Sequence, residues 1–375
     1  MEQTRFIIAG SFIDGSGAEV CRNVFLAVKD TIITAIGPVA DLPRNDEAAI
    51  DDFSHCIIVP PLVDCSVSLS RSPSVDRRVR LSLEEAGFEK KAALAAQHIR
   101  YCHSHGVLGV ADSDDSIGLG EHLQEVMPQG SIIDIRRAGK DFLKIVYSSI
   151  IDDKEAQNSR LNREGLSLIL QQKGNKKAVV VANGRQGVQE ALAAGCDAIE
   201  QGYAMGKENL REMADMDVLW IPSVLMAKNG LDGAGSGGDV TCRFSLRYVA
   251  PGKADPGAET FWKKMLAEQL AQLRLARELG VKTAVGTGAG SVGILHGESM
   301  VEEMKLFIKA GYSLEETIRC ASENGARFFG MENLGALAVG RKATFLVARG
   351  TAQQLPRKLA YLEGIYVDGA PSRNF

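Results

Sequence analysis

Between Cys56 and Gly311 the chain keeps returning to one unit: an apolar run of strand length, a loop, then a helix with apolar residues at helical spacing. CIIVPPLVD opens the series. Glu84 to His105 carries the helical spacing and stops at Gly106, a residue suited to a helix C-terminus. GVLGVAD, SIIDI, FLKIVYS, KAVVVAN, DAIEQG, VLWIPS and VKTAVGT read as buried strands. REGLSLILQQK, GVQEALAAG, KENLREMAD, Glu259 to Leu279 and GESMVEEMKLFIKAG read as the helices between and after them. Such alternation implies a parallel sheet with right-handed crossovers. About eight units close a (β/α)8 TIM barrel. The predicted class is therefore α/β, with a barrel over 56–333.

Both ends depart from this pattern. RFIIAGSFIDGSG and NVFLAVKDTIITAIG read as short β elements, the second a hairpin turning at Lys29-Asp30. From Leu334 the tail returns to β character, in GALAVGRKATFLVARG and LAYLEGIYVDGAP. Residues 1–55 and 334–375 are expected to join in one small β-sandwich. Leu225 to Gly257, rich in Gly, Ala and Asp, reads as a long loop at the C-terminal face of the barrel, a candidate lid.

The net charge is -4, which points away from nucleic acid and anionic membranes. No apolar run approaches a membrane span, and MEQTRFIIAGSFIDGSG lacks the layout of a secretory leader. The seven cysteines form no Cys-x-x-Cys pair, against both a disulfide framework and a zinc knuckle. A reducing cytoplasm is the expected location. A small-molecule ligand is the expected partner, with a homo-oligomer as a further expectation.

Several runs resemble the amidohydrolase superfamily, in its imidazolonepropionase- and prolidase-like branch. VPPLVDCSVSL is similar to the first barrel strand, which in the family ends Gly-Leu-Ile-Asp-x-His-x-His. DFLKIVYS resembles the fourth strand, whose lysine is carboxylated to bridge two metals in many members. VVVANGRQGVQEALAAGCDAIEQG resembles the fifth and sixth strands, VKTAVGTGAGSVGILHGES the eighth, and GALAVGRKATFLV the closing segment. The resemblance runs over essentially the whole chain in order.

Carried over residue by residue, it implies a depleted metal site. Ser66 and Ser68 stand at the first-strand His-x-His positions. Val181 stands at the fifth-strand metal histidine, with Asn183 at the other histidine of that motif. Gln201 stands at the sixth-strand histidine and Gly288 at the eighth-strand aspartate. Lys144 and the supporting Asp64 remain. Zinc at a catalytic site takes imidazole, thiolate or carboxylate, which hydroxyls, Val181 and Gly288 do not supply. Gly288 also cannot take a proton from an attacking water. No metal and no cofactor are therefore expected.

Lys144, without metals, is expected as a free amine held by Asp64 or Asp112, an anion anchor or a Schiff-base nucleophile. On the anchor reading, Lys144→Met abolishes ligand binding and moves the thermal midpoint by only a few degrees. Asn183, Gln201, Ser66, Ser68 and Tyr203 would make a polar, uncharged floor. His296 and Glu298, at the same rim, are an acid–base candidate, though Glu298 also suits a helix's first turn. Gly288, Gly290 and Gly293 form a Gly-x-Gly-x-x-Gly run after a strand, but the next helix begins too late for a dinucleotide fingerprint. A phosphate-type anion between this loop and Lys144 is a minor expectation.

His98, Cys102 and His105 share a helix face and read as surface or helix-end groups away from the chemistry. Cys65 should point opposite to Ser66 and Ser68 and pack in the interior. Three readings compete: a metal-free pseudoenzyme binding a small polar or anionic ligand; an enzyme with rebuilt, metal-independent chemistry using Lys144, His296 or Cys65; and a hydrolase of carbon–nitrogen bonds, peptide or non-peptide, with its ligands in another register. Fold alone does not choose among them.

Overall fold

The computed structural model describes residues 4–43, 48–113, 118, 133–148, 161–235 and 256–372. Four strands come first: β1 Thr4–Phe12, β2 Cys21–Lys29, β3 Ile32–Pro38 and β4 Ala49–Val59. Then follow β5 Leu62–Val67, α1 Arg77–Glu84, α2 Phe88–Ser104, β6 Val107–Asp112, β7 Asp134–Arg137 and β8 Phe142–Val146. The series continues with α3 Arg163–Gln171, β9 Lys177–Ala182, α4 Gly184–Ala193, β10 Ala198–Gln201, α5 Gly206–Asp215 and β11 Leu219–Ile221. After β11 come α6 Val224–Gly235, α7 Pro256–Leu279, α8 Ser299–Lys309, α9 Leu314–Ala321 and α10 Glu323–Phe329. β12 Phe345–Arg349, β13 Leu362–Val367 and β14 Ala370–Pro371 close the chain.

The α/β alternation is carried by two parallel sheets. One has the order β5-β6-β7 and the other β11-β10-β9-β8. Every residue of β5 and of β6 is buried, as expected for strands covered on both faces. Residues 282–289 lie between the sheets. Ala284 N donates to Trp220 O, and Trp220 N to Lys282 O. On the other side Cys65 N donates to Val285 O, Gly288 N to Ser66 O, and Ser68 N to Ala289 O. The main core runs from these strands to the apolar faces of the helices, with Trp220 and Phe307 fully buried in it.

The two ends of the chain meet in one seven-stranded sheet, ordered β14-β13-β12-β4-β1-β2-β3. β4 is its hinge to the rest, parallel to β1 and antiparallel to β12. Ile7, Leu26, Ile33, Ile58, Phe345 and Val347 share a buried cluster, while Phe6, Phe25 and Ala27 pack on the other face.

Two elements differ from the sequence expectation. The helix expected from Glu84 to His105 begins only at Phe88, with Gly87 as its N-cap, while Glu84 closes the separate helix α1. Residues 224–235, expected as the start of a loop, form α6. The first backbone amides of that helix, Val224 N and Leu225 N, donate to the Glu303 carboxylate at 2.8 and 2.6 Å. A buried acid on a neighbouring helix thus satisfies amides that the local sequence leaves open. The expected lid falls largely on 236–255, outside the described residues. No helix among the described residues is long and apolar enough to cross a membrane.

Candidate functional site

The carboxyl ends of the parallel strands surround a cavity of about 400 Å³. Ser66 and Val67 of β5, Lys144 and Val146 of β8, Val181 of β9, and Glu200 and Gln201 of β10 line it. Ser68, Arg71, Ser113, Met226 and the loop 288–291 complete the wall. Ligands of open α/β sheets and barrels bind at this strand end, because loops there converge over backbone groups the strands leave free.

Four side chains form a closed polar cluster at the bottom of the cavity. Lys144 Nζ stands 2.6 Å from Glu200 Oε2. It donates to Ser113 Oγ at 2.7 Å and to Ser66 Oγ at 3.3 Å. Ser66 Oγ donates in turn to Glu200 Oε1 at 2.8 Å. The Lys144 and Glu200 side chains are only 12% and 6% exposed, so the pair is screened little by solvent. Lys144 thus donates to two hydroxyls and sets its charge against a carboxylate, all inside the cluster. Strand register produces the cluster: Lys144 pairs with Val179, and Glu200 with Val181, which brings both side chains to the same end of the sheet.

Glu200 was not among the residues singled out from sequence. Lys144 was expected to lean on Asp64 or Asp112, and the structure gives it Glu200 instead. The signal was the acidic residue in DAIEQG, the only charged one between Ala198 and Gln201. A buried acid in a strand needs a cation or a hydrogen-bond donor.

Asp64 is fully buried beneath the cavity and faces residues 282–289. Its Oδ1 accepts from Thr287 N at 2.9 Å and Ser66 N at 3.2 Å, and its Oδ2 from Thr287 Oγ1 at 2.5 Å. Burial pushes its carboxyl up to about 6, against the lowering effect of the Thr287 bonds. It supports Ser66 from behind and does not line the cavity.

The polar floor is partly reassigned. Ser66, Ser68 and Gln201 line the cavity, as does Gly288, whose φ of +73° suits glycine. Asn183 sits behind Gln201. It donates to Gln201 Oε1 at 2.7 Å and Ser148 O at 3.0 Å, and accepts from Tyr203 N at 2.9 Å. Tyr203 turns away, its hydroxyl donating to Ser223 O at 2.6 Å and its ring packed with Ala227 and Met265. Gln201 has φ +71°, so the backbone bends after β10 and carries Tyr203 out of the floor.

His296 does not reach the cavity either. Its Nε2 lies 3.0 Å from Ser68 O, and its ring stacks on His98, which holds Leu69 O at 2.8 Å through Nδ1. Burial, with the nearby His98, holds the His296 imidazole down to about 3, leaving it neutral at ordinary pH. His98 is therefore an interior group, contrary to the surface reading, because α2 lays its face against the loop after β5. Glu298 is the N-cap of α8 and makes no capping bond through its side chain. Cys65 faces α10, where a Cβ on Gly325 would come within 2.5 Å of its sulfur. Burial pushes that thiol well above its ordinary value, so it is no nucleophile.

The glycine run is explained without a nucleotide. A Cβ at Gly290 would lie 2.6 Å from Ser68 O, and Gly290 has φ +96°. The loop needs glycine to pass close to the backbone after β5.

Comparison with known proteins agrees with this architecture. The chain is similar over 98% of its length, at 19% identity, to a Xaa-Pro dipeptidase with bound methionine, with TM-score 0.79 and 99% of that chain covered. It is similar over 99% to the Aspergillus (A. niger) ochratoxinase at 15% identity, TM-score 0.77, covering 95% of that chain. Phenylurea hydrolase B aligns over 99% of this chain and 97% of its own at 15% identity, TM-score 0.70. At such identities these likenesses speak for the fold alone. No curated protein matches the sequence. The model of the amidohydrolase family matches residues 23–371, nearly the whole chain, and the chain belongs to that family.

Proposed function

We propose that this protein is a metal-independent amidohydrolase-family member that binds a small polar or anionic ligand in the cavity above Lys144 and Glu200. Its scaffold on this reading is a closed (β/α)8 barrel over 56–333, with 282–289 as the eighth strand. A sandwich-like β unit from 1–55 and 334–375 accompanies it. The hydrogen bonds from 282–289 to both β11 and β5 support the closure.

The single observation that carries the reading is the Lys144–Glu200 ion pair. In the family's metal-bridging role this lysine would be an anionic carbamate. Here the lysine nitrogen lies 2.6 Å from Glu200 Oε2, a contact that favours the ammonium over an anionic carbamate. As an ammonium, Lys144 is matched by one carboxylate and two hydroxyls. The remaining residues at the metal positions, Ser66, Ser68, Val181, Gln201 and Gly288, offer weak or no donors. Among the described residues no three His, Cys, Asp or Glu side chains are grouped to hold a metal. The donor set does not fit the family's metals, so no step is derived through them.

Ligand chemistry follows from the wall. Lys144 is neutralised by Glu200, so it is not the free anion anchor expected from sequence. The Arg71 guanidinium lines the mouth, with Ser68, Ser291 and Gln201 as hydrogen-bonding groups and Met226 and Val146 as apolar contacts. A small polar ligand suits a cavity of this size and lining.

Elemental analysis of untagged protein, with thermal shifts on adding zinc, manganese, EDTA and small carboxylates, tests this. The expected result is no stoichiometric metal, no metal response, and stabilisation by some carboxylates. Stoichiometric metal lost to EDTA together with stability would overturn it.

A further inference from the structure

We propose that Ser66 is the nucleophile of a metal-independent acyl-transfer site, with Glu200 as its base and Lys144–Ser113 as the proton path to the leaving group. This rests on the reading that the cavity takes a small ligand without metal.

The argument begins with how the four groups are joined. Most buried hydroxyls donate to a backbone carbonyl. Ser66 Oγ instead donates to a carboxylate oxygen at 2.8 Å, the arrangement that activates a hydroxyl for attack. Ser66, though only 3% exposed, lines the cavity, which places it against a ligand held there. Asp64 fixes the Ser66 backbone from behind through Ser66 N at 3.2 Å, so the nucleophile is held in place. Ser113 also lines the cavity and takes a hydrogen bond from Lys144 at 2.7 Å. A serine joined to a lysine, a second serine and a glutamate is the set that serine-dependent acylases of the β-lactamase kind use on unrelated folds.

The proton ring closes. Ser66 Oγ attacks the carbonyl carbon of an ester or amide, and its proton passes to Glu200 Oε1. The tetrahedral oxyanion forms beside the Lys144 ammonium, whose Nζ lies 3.3 Å from Ser66 Oγ. Collapse breaks the bond to the leaving nitrogen or oxygen. The leaving group takes the Ser113 proton, and Lys144 replaces it. The neutral lysine and protonated Glu200, in contact across the ion pair, then return to ammonium and carboxylate. Water attacks the acyl-serine with Glu200 as base, and the proton ends on Ser66 Oγ as the acid leaves. Atoms and charges balance without an outside acid, oxidant or metal. The substrate class is a small polar ester or amide that fits the 400 Å³ cavity.

The test uses the full chain with a fluorophosphonate probe and with p-nitrophenyl acetate, read by intact mass and peptide mapping. One adduct per chain is expected, on Ser66, with a burst of p-nitrophenol. Ser66→Ala should abolish it, and Glu200→Gln and Ser113→Ala should slow labelling by about 100-fold or more, the usual scale of a lost proton-transfer group. Ser66→Cys, nearly isosteric, guards against loss of folding and should shift reactivity from fluorophosphonate to iodoacetamide at the same position. No adduct on folded protein, or an adduct kept in Ser66→Ala, would overturn the proposal. If carboxylates still raise the thermal midpoint while no adduct forms, the binding reading stands and the nucleophile falls. If neither occurs, both fall.

Discussion

The imidazole of His296 lies flat on that of His98, centroids 3.7 Å apart and planes 13° from parallel, and the two rings hold successive carbonyls, Ser68 O and Leu69 O. The pair pins the loop that leaves β5 and forms one wall of the cavity. Two neutral rings can stack so closely, whereas two charged ones repel.

This makes the protein acid-sensitive. His296 is held down to about 3 by burial and by His98, against an ordinary 6.5 in the unfolded chain. Between those values the unfolded chain binds more protons, so stability rises with pH. The contribution is complete above 6.5 and is lost as pH falls toward about 3. Full protonation would remove on the order of 5 kcal/mol. Thermal midpoints from neutral pH downward should drop less steeply in His296→Gln than in the parent chain. Equal slopes would refute the assignment.

A second prediction concerns the seam between β5 and residues 282–289. Asp64 joins them through Thr287 N, Thr287 Oγ1 and Ser66 N. Thr287→Val removes one bond and should cost about 1–2 kcal/mol, while Asp64→Ala strands buried amides and should cost about 3 kcal/mol. Urea unfolding measures both. A neutral Thr287→Val would show that the seam is held by the backbone bonds alone.

Lys144→Met was expected from sequence to leave stability nearly untouched. The structure reverses that expectation, because the change strands Glu200 as a buried, unpaired carboxylate. The cost should be about 3–5 kcal/mol. Adding Glu200→Gln should recover more than half of it, a coupling readable from a double-mutant cycle by chemical denaturation. Additive losses would mean that the two groups do not depend on each other.

Glu303 makes stability fall as pH rises through the neutral range. Burial raises its carboxyl to about 8 from an ordinary 4.5, outweighing the amides of α6 that favour its charged form. The folded state therefore binds more protons between 4.5 and about 8, and this contribution is present below 4.5 and lost as pH rises through about 8. Glu303→Gln should flatten the fall in thermal midpoint over that range. An unchanged profile between 4.5 and about 8 would refute this role for Glu303.

The strand–helix alternation, the end strands that rejoin and Lys144 near the close of its strand were all legible in the chain. They depend on periodicity and on motif order, which are local. Cys65 facing away from Ser66 followed from strand alternation in the same way.

Other features needed the third dimension. Glu200 becomes the partner of Lys144 only when β8, β9 and β10 lie in register, 56 positions bringing no local clue. His98 leaves the surface only because α2 packs on the loop after β5, and Tyr203 leaves the floor because the backbone turns at Gln201. Glu303 caps a helix on another part of the chain. The sequence by itself determined most of the secondary elements and their order, since these are written in residue type and spacing. Tertiary structure decided which buried charge meets which, because Coulomb and hydrogen-bond energies depend on distances that only the packed strands set.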